Sequence, residues 1–253
     1  MEGFPVLLFT ACMLLVSGNR LNDRTQLSDF LDTCMDAQSH KSKPGPEDSL
    51  HAECTPWKNR ACCHKKTTEE LHQNATWYKF TWGHCEPLSD MCKRYFVRDL
   101  CFYECSPNVG PWLVQESRTW RKERMYHAPL CETDCNTWYN ECKNEKTCLD
   151  NWSNGGFNFS SGVNTCPTGK PCKPFHEIFG NATNFCETIW DGSWKVTPDD
   201  KPCMKMWFDA TKENPNDAVA KQRAMEILQI SGVTNLASSF VFIIFAVLIA
   251  TLV

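Results

Sequence analysis

Residues Leu88 to Glu104 read LSDMCKRYFVRDLCFYE, and Cys105 follows directly. Apolar side chains recur in this stretch at the spacing of one face of an α-helix. Cys101 and Cys105 are four positions apart, so a helix places both on the same face. The stretch therefore predicts a helix whose cysteines take part in cross-links.

The cysteine content indicates a disulfide framework, since the chain has 17 cysteines in 253 residues. Cys12 lies in an apolar N-terminal stretch, and the other 16 form an even, dispersed set, as in secreted disulfide-rich proteins. Metal binding is the alternative, but there is no C-x-x-C pair and no pair of histidines at ligand spacing beside the cysteines. We predict eight disulfides and no metal site. Because Cys62 and Cys63 are adjacent, we expect them to bond to two different elements.

The N-terminal stretch has the pattern of a secretory signal. Phe4 to Val16 (FPVLLFTACMLLV) is apolar and is followed by the small residues Ser17 and Gly18. We predict that residues 1–18 are a signal peptide.

The C-terminal stretch favours a glycolipid (GPI) anchor. Phe240 to Val253 is apolar except for Thr251, but it is shorter than the roughly 20 residues of a spanning helix and no basic residues follow it. Small residues upstream, Ser231 and Gly232, complete the pattern of an anchor signal. We predict an ectodomain at 19–231, attachment at Ser231, with Gly232 also fitting, and a removed propeptide at 232–253. A tail-anchored or single-span helix is the alternative.

Composition and spacing predict one extracellular domain. No repeat or long linker interrupts the cysteine series, and a net charge of −4 gives no basic field for nucleic acid. Candidate N-glycosylation sites with the N-x-S/T pattern are Asn74, Asn151, Asn158 and Asn181.

Further helices are predicted at Thr133 to Lys143, at Pro174 to Trp190 with a break at Gly180, and at Asp217 to Leu228. Strand signals are short and weak, as at Trp77 to Trp82. The fold class is therefore α+β: a single disulfide-rich globular domain with several helices, short strands and long loops.

The chain has ten tryptophans, and some of them, such as Trp120 and Trp190, lie beside charged or small polar residues. Trp120 precedes Arg121, and Trp190 precedes Asp191. Most tryptophans are expected in the core, but such neighbours suit a flat aromatic ligand whose edges form hydrogen bonds. No catalytic motif of the hydrolase, zinc protease, P-loop or dinucleotide-binding kind occurs. We predict a binding protein with no catalytic residues and no cofactor.

Several strings closely resemble the folate receptor family, and the similarity extends from about Cys34 to Asn216. They are PGPEDSLHAECTPWKNRACC (44–63), KRYFVRDLCFYECSPNVGPW (93–112), TWRKERMYHAPLC (119–131), IWDGSWKV (189–196) and CMKMWFDATKENPN (203–216). The resemblance implies one domain with a deep folate pocket. It also implies the pairs Cys34–Cys62, Cys54–Cys101, Cys63–Cys105, Cys85–Cys172, Cys92–Cys142, Cys131–Cys203, Cys135–Cys186 and Cys148–Cys166.

The resemblance also implies pocket residues. Asp99 matches the carboxylate that accepts the pterin's N–H donors, while Arg121, Arg124 and Ser193 match partners of its acceptor edge. Tyr103 and Trp190 would sandwich the pterin. The other aromatic wall positions are Tyr78, Phe80, Trp82, Trp120 and Trp152.

The run from Trp152 to Phe159, WSNGGFNF, departs from the family pattern. It lacks the usual basic residue, has one extra residue, and has phenylalanine where tryptophan is usual. In the family this loop holds the ligand's glutamate tail, partly through backbone groups. Ser153, Asn154 and Gly155 are the predicted contacts here.

The resemblance implies a GPI-anchored cell-surface receptor that binds folic acid and reduced folates and delivers them into the cell by endocytosis. A cell-adhesion paralogue, an egg-surface protein that recognises sperm and needs a protein partner, is the alternative. Asp99, Trp120, Arg121 and Arg124 argue against it, because a protein that had lost folate binding would be expected to lose them. A carrier of another flat heterocycle, as in riboflavin-binding proteins, is a third possibility.

Overall fold

A computed structural model of the protein describes residues 20–74 and 76–229. The predicted signal peptide and the predicted anchor segment, with Cys12, Ser231 and Gly232, lie outside the described residues. Within the described ranges, no helix combines the length and the apolar composition required to cross a membrane.

The central helix spans Asp90–Cys105, which confirms the helix predicted from the opening stretch. Its end follows from the sequence. Ser106 is extended, with φ −69° and ψ 127°, because a following proline, here Pro107, disfavours the helical conformation of the residue before it. Phe96, Cys101 and Phe102 are on its buried side. This helix is α2, because α1 (Lys65–Gln73) precedes it in the chain.

The other predicted helices are also present. They are α3 (Glu132–Cys142), α4 (Phe175–Phe179), α5 (Ala182–Thr188) and a helix over residues 216–229. Gly180 separates α4 from α5 with a φ of +76°, a conformation that favours glycine. The side chain of Asn181 then caps α5 by accepting a hydrogen bond from the Asn184 N–H at 2.9 Å.

The strands are short and form two-stranded sheets in the described part of the chain. The strands are β1 (His40–Gly45), β2 (Ala61–Cys63), β3 (Leu113–Arg118), β4 (Arg121–Met125), β5 (Ala128–Cys131), β6 (Lys146–Thr147), β7 (Lys173–Pro174) and β8 (Trp194–Thr197). The antiparallel pairs are β1–β2, β3–β4 and β6–β7, whereas β5 and β8 are parallel. Residues Trp77 to Trp82 do not form a strand: Trp77 and Phe80 close a tight turn.

Eight disulfides hold these elements together, and their pairing is the one that the resemblance implied. The adjacent Cys62 and Cys63 bond to different segments, at Cys34 and Cys105. α2 carries three of the bonds, to a 3₁₀ helix at Ala52–Trp57, to β2 and to α3. This helix is therefore fixed at several points along its length. The α+β, single-domain, disulfide-rich fold class is confirmed.

Aromatic side chains fill the core around α2. Trp57, Phe96, Phe102, Trp138 and Trp194 are all almost fully buried. Phe96 meets Trp138 edge to face, with ring centroids 5.2 Å apart, an arrangement that aromatic pairs prefer. The core thus surrounds the helix that carries Asp99.

The predicted glycosylation sites differ in their surroundings. Asn74, Asn158 and Asn181 are exposed. Asn151 is half-buried, and its Nδ2 donates a hydrogen bond to Asp191 Oδ1 at 2.8 Å. A glycan on Asn151 would have to share the nitrogen that makes this bond. Occupancy of all four sites stays a prediction.

Candidate ligand-binding site

A cavity of about 740 Å³ opens between α2, the β3–β4 hairpin and the turn that precedes β8. Most residues predicted for the pocket lie in its lining. The polar residues that were predicted and that do line the cavity are Asp99, Arg121, Ser153 and Ser193. Its predicted aromatic lining consists of Tyr78, Phe80, Trp82, Tyr103, Trp120, Trp152 and Trp190. The structure thus brings together residues that are up to 115 positions apart, from Tyr78 to Ser193.

Asp99 is the buried acid of the cavity. It lies on α2, is 4% exposed, and accepts a hydrogen bond from the indole N–H of Trp194 at 2.8 Å. Burial raises the pKa of Asp99 to about 7, and the indole N–H groups of Trp194 and Trp190 partly oppose that rise. Among the described residues, the Trp190 N–H makes no hydrogen bond of good geometry, although it is near enough to favour the Asp99 carboxylate. Asp99 therefore changes charge close to neutral pH.

Trp194 reaches Asp99 because β8 pairs with β5. Ala128 on β5 is directly opposite Trp194 on β8, in a parallel register. The turn before β8 contains Gly192 at a φ of +73°, and a Cβ there would lie 2.9 Å from the Tyr126 ring. The turn therefore needs glycine, and it sets the point at which β8 begins.

The walls of the cavity are stacked aromatic rings. Tyr78 stacks on Trp120 with centroids 5.2 Å apart, and Phe96 stacks on Trp152 at 5.1 Å with an interplanar angle of 4°. Trp152 also meets Trp190 edge to face at 5.7 Å. Each ring packs against another ring, so these walls keep their shape without an occupant.

Hydrogen bonds to Glu104 stabilise the turn at Trp77 to Phe80. Tyr78 and Lys79 both have positive φ, at 52° and 63°, which costs energy for residues other than glycine. The buried Glu104 accepts hydrogen bonds from the Tyr78 hydroxyl at 3.0 Å and the Trp77 indole N–H at 3.1 Å. These bonds offset the strain and keep Tyr78 at the cavity wall.

Arg121 is the cation beside the aromatic wall. Its guanidinium is 4.7 Å from the centre of the Trp120 ring, 3.2 Å from Glu116 Oε2 and 3.5 Å from the Tyr103 hydroxyl. Burial raises the pKa of Tyr103 to about 12, so its hydroxyl stays protonated. Arg121 is thus fixed by a carboxylate and a ring while it faces the cavity.

Arg124 lies outside the lining of the cavity. It donates a hydrogen bond to the Asp191 carbonyl at 2.8 Å and is 3.6 Å from the Asp191 carboxylate. Asp191 belongs to the turn that carries Trp190 and Ser193, and Ser193 donates a hydrogen bond to the Trp190 carbonyl at 2.8 Å. In this structure Arg124 positions that turn. Its assignment as a direct ligand contact stays a prediction.

The 153–159 loop reaches the lining of the cavity at Ser153 and Phe159. Ser153 lines it, but Asn154 and Gly155 do not. Asn151 Oδ1 accepts hydrogen bonds from the Ser153 and Asn154 N–H groups at 3.0 and 2.8 Å. A Cβ on Gly155 would overlap the Asn151 carbonyl oxygen, so glycine allows the chain to pass there. The role of Asn154 and Gly155 in binding stays a prediction.

The lining also contains residues that sequence reasoning missed: Gln38, Trp77, Lys79, Leu100, Arg118, Met125, Phe159 and Trp194. Some had a signal in the sequence, because Leu100 follows Asp99 and Trp194 follows Ser193. Arg118 is the last residue of β3, and Trp120 lies beyond it in the hairpin turn, so a strand pattern does not connect the two. Gln38 had no such signal.

Clusters with potential metal ligands occur at two places in the described residues. One contains His84 with Cys85, Cys148 and Cys166, and the other contains Asp199 with Cys131 and Cys203. All of these cysteines are in disulfides. They therefore offer no thiolate, which is the form of cysteine that binds zinc.

Comparison with known proteins decides the family. The model of the folate receptor family matches residues 33–205. This chain belongs to the folate receptor family. It is 45% identical over 198 residues to folate receptor alpha of Homo sapiens, covering 77% of each chain. It is 44% identical to folate receptor gamma of Homo sapiens, covering 77% of this chain and 80% of that one.

A more distant relative has another name. The chain is 31% identical over 176 residues to the riboflavin-binding protein of Gallus gallus, covering 68% of this chain and 71% of the relative. The predicted family is confirmed, but proteins similar to this chain carry names for two different ligands. The choice between them rests on the chemistry of the cavity.

Proposed function

We propose that this protein binds folates, with the pterin ring at the inner end of the cavity. The observation that carries the proposal is the buried Asp99 in a cavity walled mostly by aromatic rings. A carboxylate facing paired N–H donors in a dry site makes a strong, oriented interaction. A pterin presents such a pair, its amino group and the adjacent ring N–H.

The other walls suit the rest of the ring. In this proposal Arg121 donates to the acceptor edge of a pterin, and Tyr103, Trp120 and Trp190, which also line the cavity, stack on the ligand's rings. The volume of about 740 Å³ is ordinary for a pocket that takes one small molecule. Size and charge therefore both fit a folate.

The same chemistry disfavours riboflavin. The polar edge of an isoalloxazine ring has one N–H between two carbonyl oxygens, and those oxygens would be repelled by the Asp99 carboxylate. A pterin places two donors there instead. The adhesion alternative has no specific support in this structure, since the residues expected to be lost with folate binding, Asp99, Trp120, Arg121 and Arg124, are all present.

Calorimetric titration of the full-length protein, purified with its disulfides intact, tests this proposal. Folic acid should bind tightly and riboflavin weakly or not at all. If riboflavin bound more tightly than folic acid, the pterin assignment would be wrong. If neither compound bound, the protein would not be a folate carrier, and adhesion would become the leading function.

We further propose that the protein is held at the cell surface by a GPI anchor and delivers folates by endocytosis. The support is the sequence pattern at its two ends. Treatment of expressing cells with a phosphatidylinositol-specific phospholipase should release the protein into the medium. Protein that stays on the cells after treatment would favour the single-span alternative. Untreated cells should take up labelled folic acid, and loss of that uptake after the same treatment would support delivery by this protein.

A further inference from the structure

The charged groups of the cavity are ordered along its depth. Asp99 is nearly buried, and the Arg121 side chain is 11% exposed. The Arg118 side chain is 32% exposed, and Lys79 is exposed. A ligand that follows this order has its hydrogen-bond donors inside and its negative charge at the mouth.

We infer that Arg118 on β3 binds the anionic tail of the ligand at the mouth of the cavity. This inference rests on the proposed folate function, because the tail in question is the glutamate of a folate. It places the cation for the tail on the β3–β4 hairpin, and not on the 153–159 loop, which has no basic residue.

The geometry of Arg118 supports this role. Its Nη2 donates hydrogen bonds to Asn154 Oδ1 at 2.6 Å and to the Ser153 carbonyl at 3.4 Å, and its Nε is 3.6 Å from Glu116. Its guanidinium is 5.9 Å from the centre of the Trp120 ring. Both of these hydrogen bonds use Nη2. Arginine has five N–H donors in a fixed plane, so the side chain is oriented by the protein and still has donors for a carboxylate.

The surroundings of Arg118 leave positive charge in excess. Glu116 is within 4.0 Å of three guanidinium groups, those of Arg118, Arg121 and Arg124. Asp191 is the second acid near these arginines, 3.6 Å from Arg124. Three cations against two carboxylates, with Lys79 also in the lining, favour an anion at this end of the cavity.

The competing explanation is that Arg118 only tethers the loop through Asn154 and Ser153. The two roles make different demands on the ligand. A tether affects every ligand that touches the loop, whether charged or neutral. A cation that binds the tail affects only ligands whose tail is charged.

The test uses folic acid and its diamide, in which both tail carboxylates are replaced by carboxamides of the same shape. Calorimetry on full-length protein compares wild type with Arg118→Gln, Arg118→Lys and Lys122→Gln. Lys122 is exposed on β4 and outside the lining, so its variant is a control with the same change in charge.

We expect Arg118→Gln to weaken folic acid binding by about tenfold, in line with loss of a charged hydrogen bond at a half-exposed site. Diamide binding should change by less than about twofold in this variant, and Arg118→Lys should keep most of the affinity for folic acid, because the point charge remains. Lys122→Gln should bind both compounds like wild type.

Three outcomes separate the possibilities. Equal losses for folic acid and the diamide in Arg118→Gln would make Arg118 a tether and overturn the inference. Unchanged binding of folic acid in that variant would also overturn it. Failure of the wild-type protein to bind either compound would instead reject the proposed function on which the inference rests.

Discussion

At its inner end the cavity is walled by α2 and β8, whereas at its mouth it is walled by the turn at 77–80 and the loop at 153–159. Asp99 and Trp194, at the inner end, are almost without solvent contact, but Phe159 at the mouth is 49% exposed. α2 is fixed by three disulfides, so the acid has little freedom to move. Under the proposed function, recognition of the heterocycle falls to regular, cross-linked structure, whereas the mouth, apart from Arg118 on β3, is formed by loops.

Removing an inner disulfide should have the largest effect. The Cys54→Ala, Cys101→Ala double variant loses the bond between α2 and the 52–57 helix, and we expect its unfolding free energy to fall by about 2–5 kcal/mol. Guanidinium unfolding measures this.

The outer bond Cys148–Cys166 is the matched comparison for that variant. It closes a shorter segment, with a separation of 18 residues against 47, so its loss should cost less. A larger cost for the outer bond would contradict the view that the inner end is the rigid part.

The Asp99→Asn variant should have the next largest effect. The amide keeps an acceptor for Trp194 but lacks the charge and turns a donor toward the ligand. We expect folic acid binding to weaken by about 2–3 kcal/mol, or roughly 30- to 150-fold. Calorimetry measures the loss.

The stability of the same variant is its control. Because burial disfavours the ionised acid, ligand-free Asp99→Asn at pH 8 should melt at or above the wild-type temperature. If Asp99→Asn bound folic acid with normal affinity, the Asp99 carboxylate would not be a binding partner of the pterin.

Acidification should weaken binding by a smaller factor. The pKa of Asp99 in the empty protein is about 7, so protonation of the acid competes with a ligand that needs the carboxylate. The affinity for folic acid should fall by about eightfold between pH 7.4 and pH 6.

The effect on stability has the opposite sign. The folded protein holds this proton more tightly than the unfolded chain does, so Asp99 contributes stability to the empty protein that is lost as pH rises from about 4 to 7. Titrations of wild type and Asp99→Asn with folic acid across this pH range isolate the contribution of Asp99 to binding. A wild-type affinity that rose on acidification would contradict the predicted loss of binding.

The smallest effect is expected at the mouth. Phe159 is half-exposed, so Phe159→Ala should lower the affinity for folic acid by no more than about threefold, close to the ±0.5 kcal/mol usual for surface positions. The melting temperature should not change. A loss as large as that of Asp99→Asn would mean that the mouth contributes as much to recognition as the inner end does.

What could be predicted from the sequence depends on whether a feature follows from a local pattern or from long-range pairing. The helix at α2 follows from a local pattern, and the break at Gly180 follows from local conformation, so both were predictable. The strand β8 was not, because its four residues have a weak signal of their own and are held by pairing with β5. A long-range pairing of this kind leaves little mark on either segment.

The predicted site shows a similar limit. The resemblance identified Asp99 and Arg121, which lie in the lining, but it could not show that Arg124 turns toward Asp191. Trp194 is adjacent to the predicted Ser193, but its hydrogen bond to Asp99, 95 positions away, follows from no spacing rule. Arg118 was missed because the family pattern directs attention to the 153–159 loop.

The tryptophans that line the cavity have a consequence for its fluorescence. Six of the chain's ten tryptophans line this one cavity: Trp77, Trp82, Trp120, Trp152, Trp190 and Trp194. Their emission overlaps the near-ultraviolet absorption of a heteroaromatic guest, so an occupied cavity should be markedly dimmer than an empty one. Stopped-flow fluorescence of the unlabelled protein can therefore follow entry and departure in real time, and the aromatic walls act as a built-in reporter of occupancy.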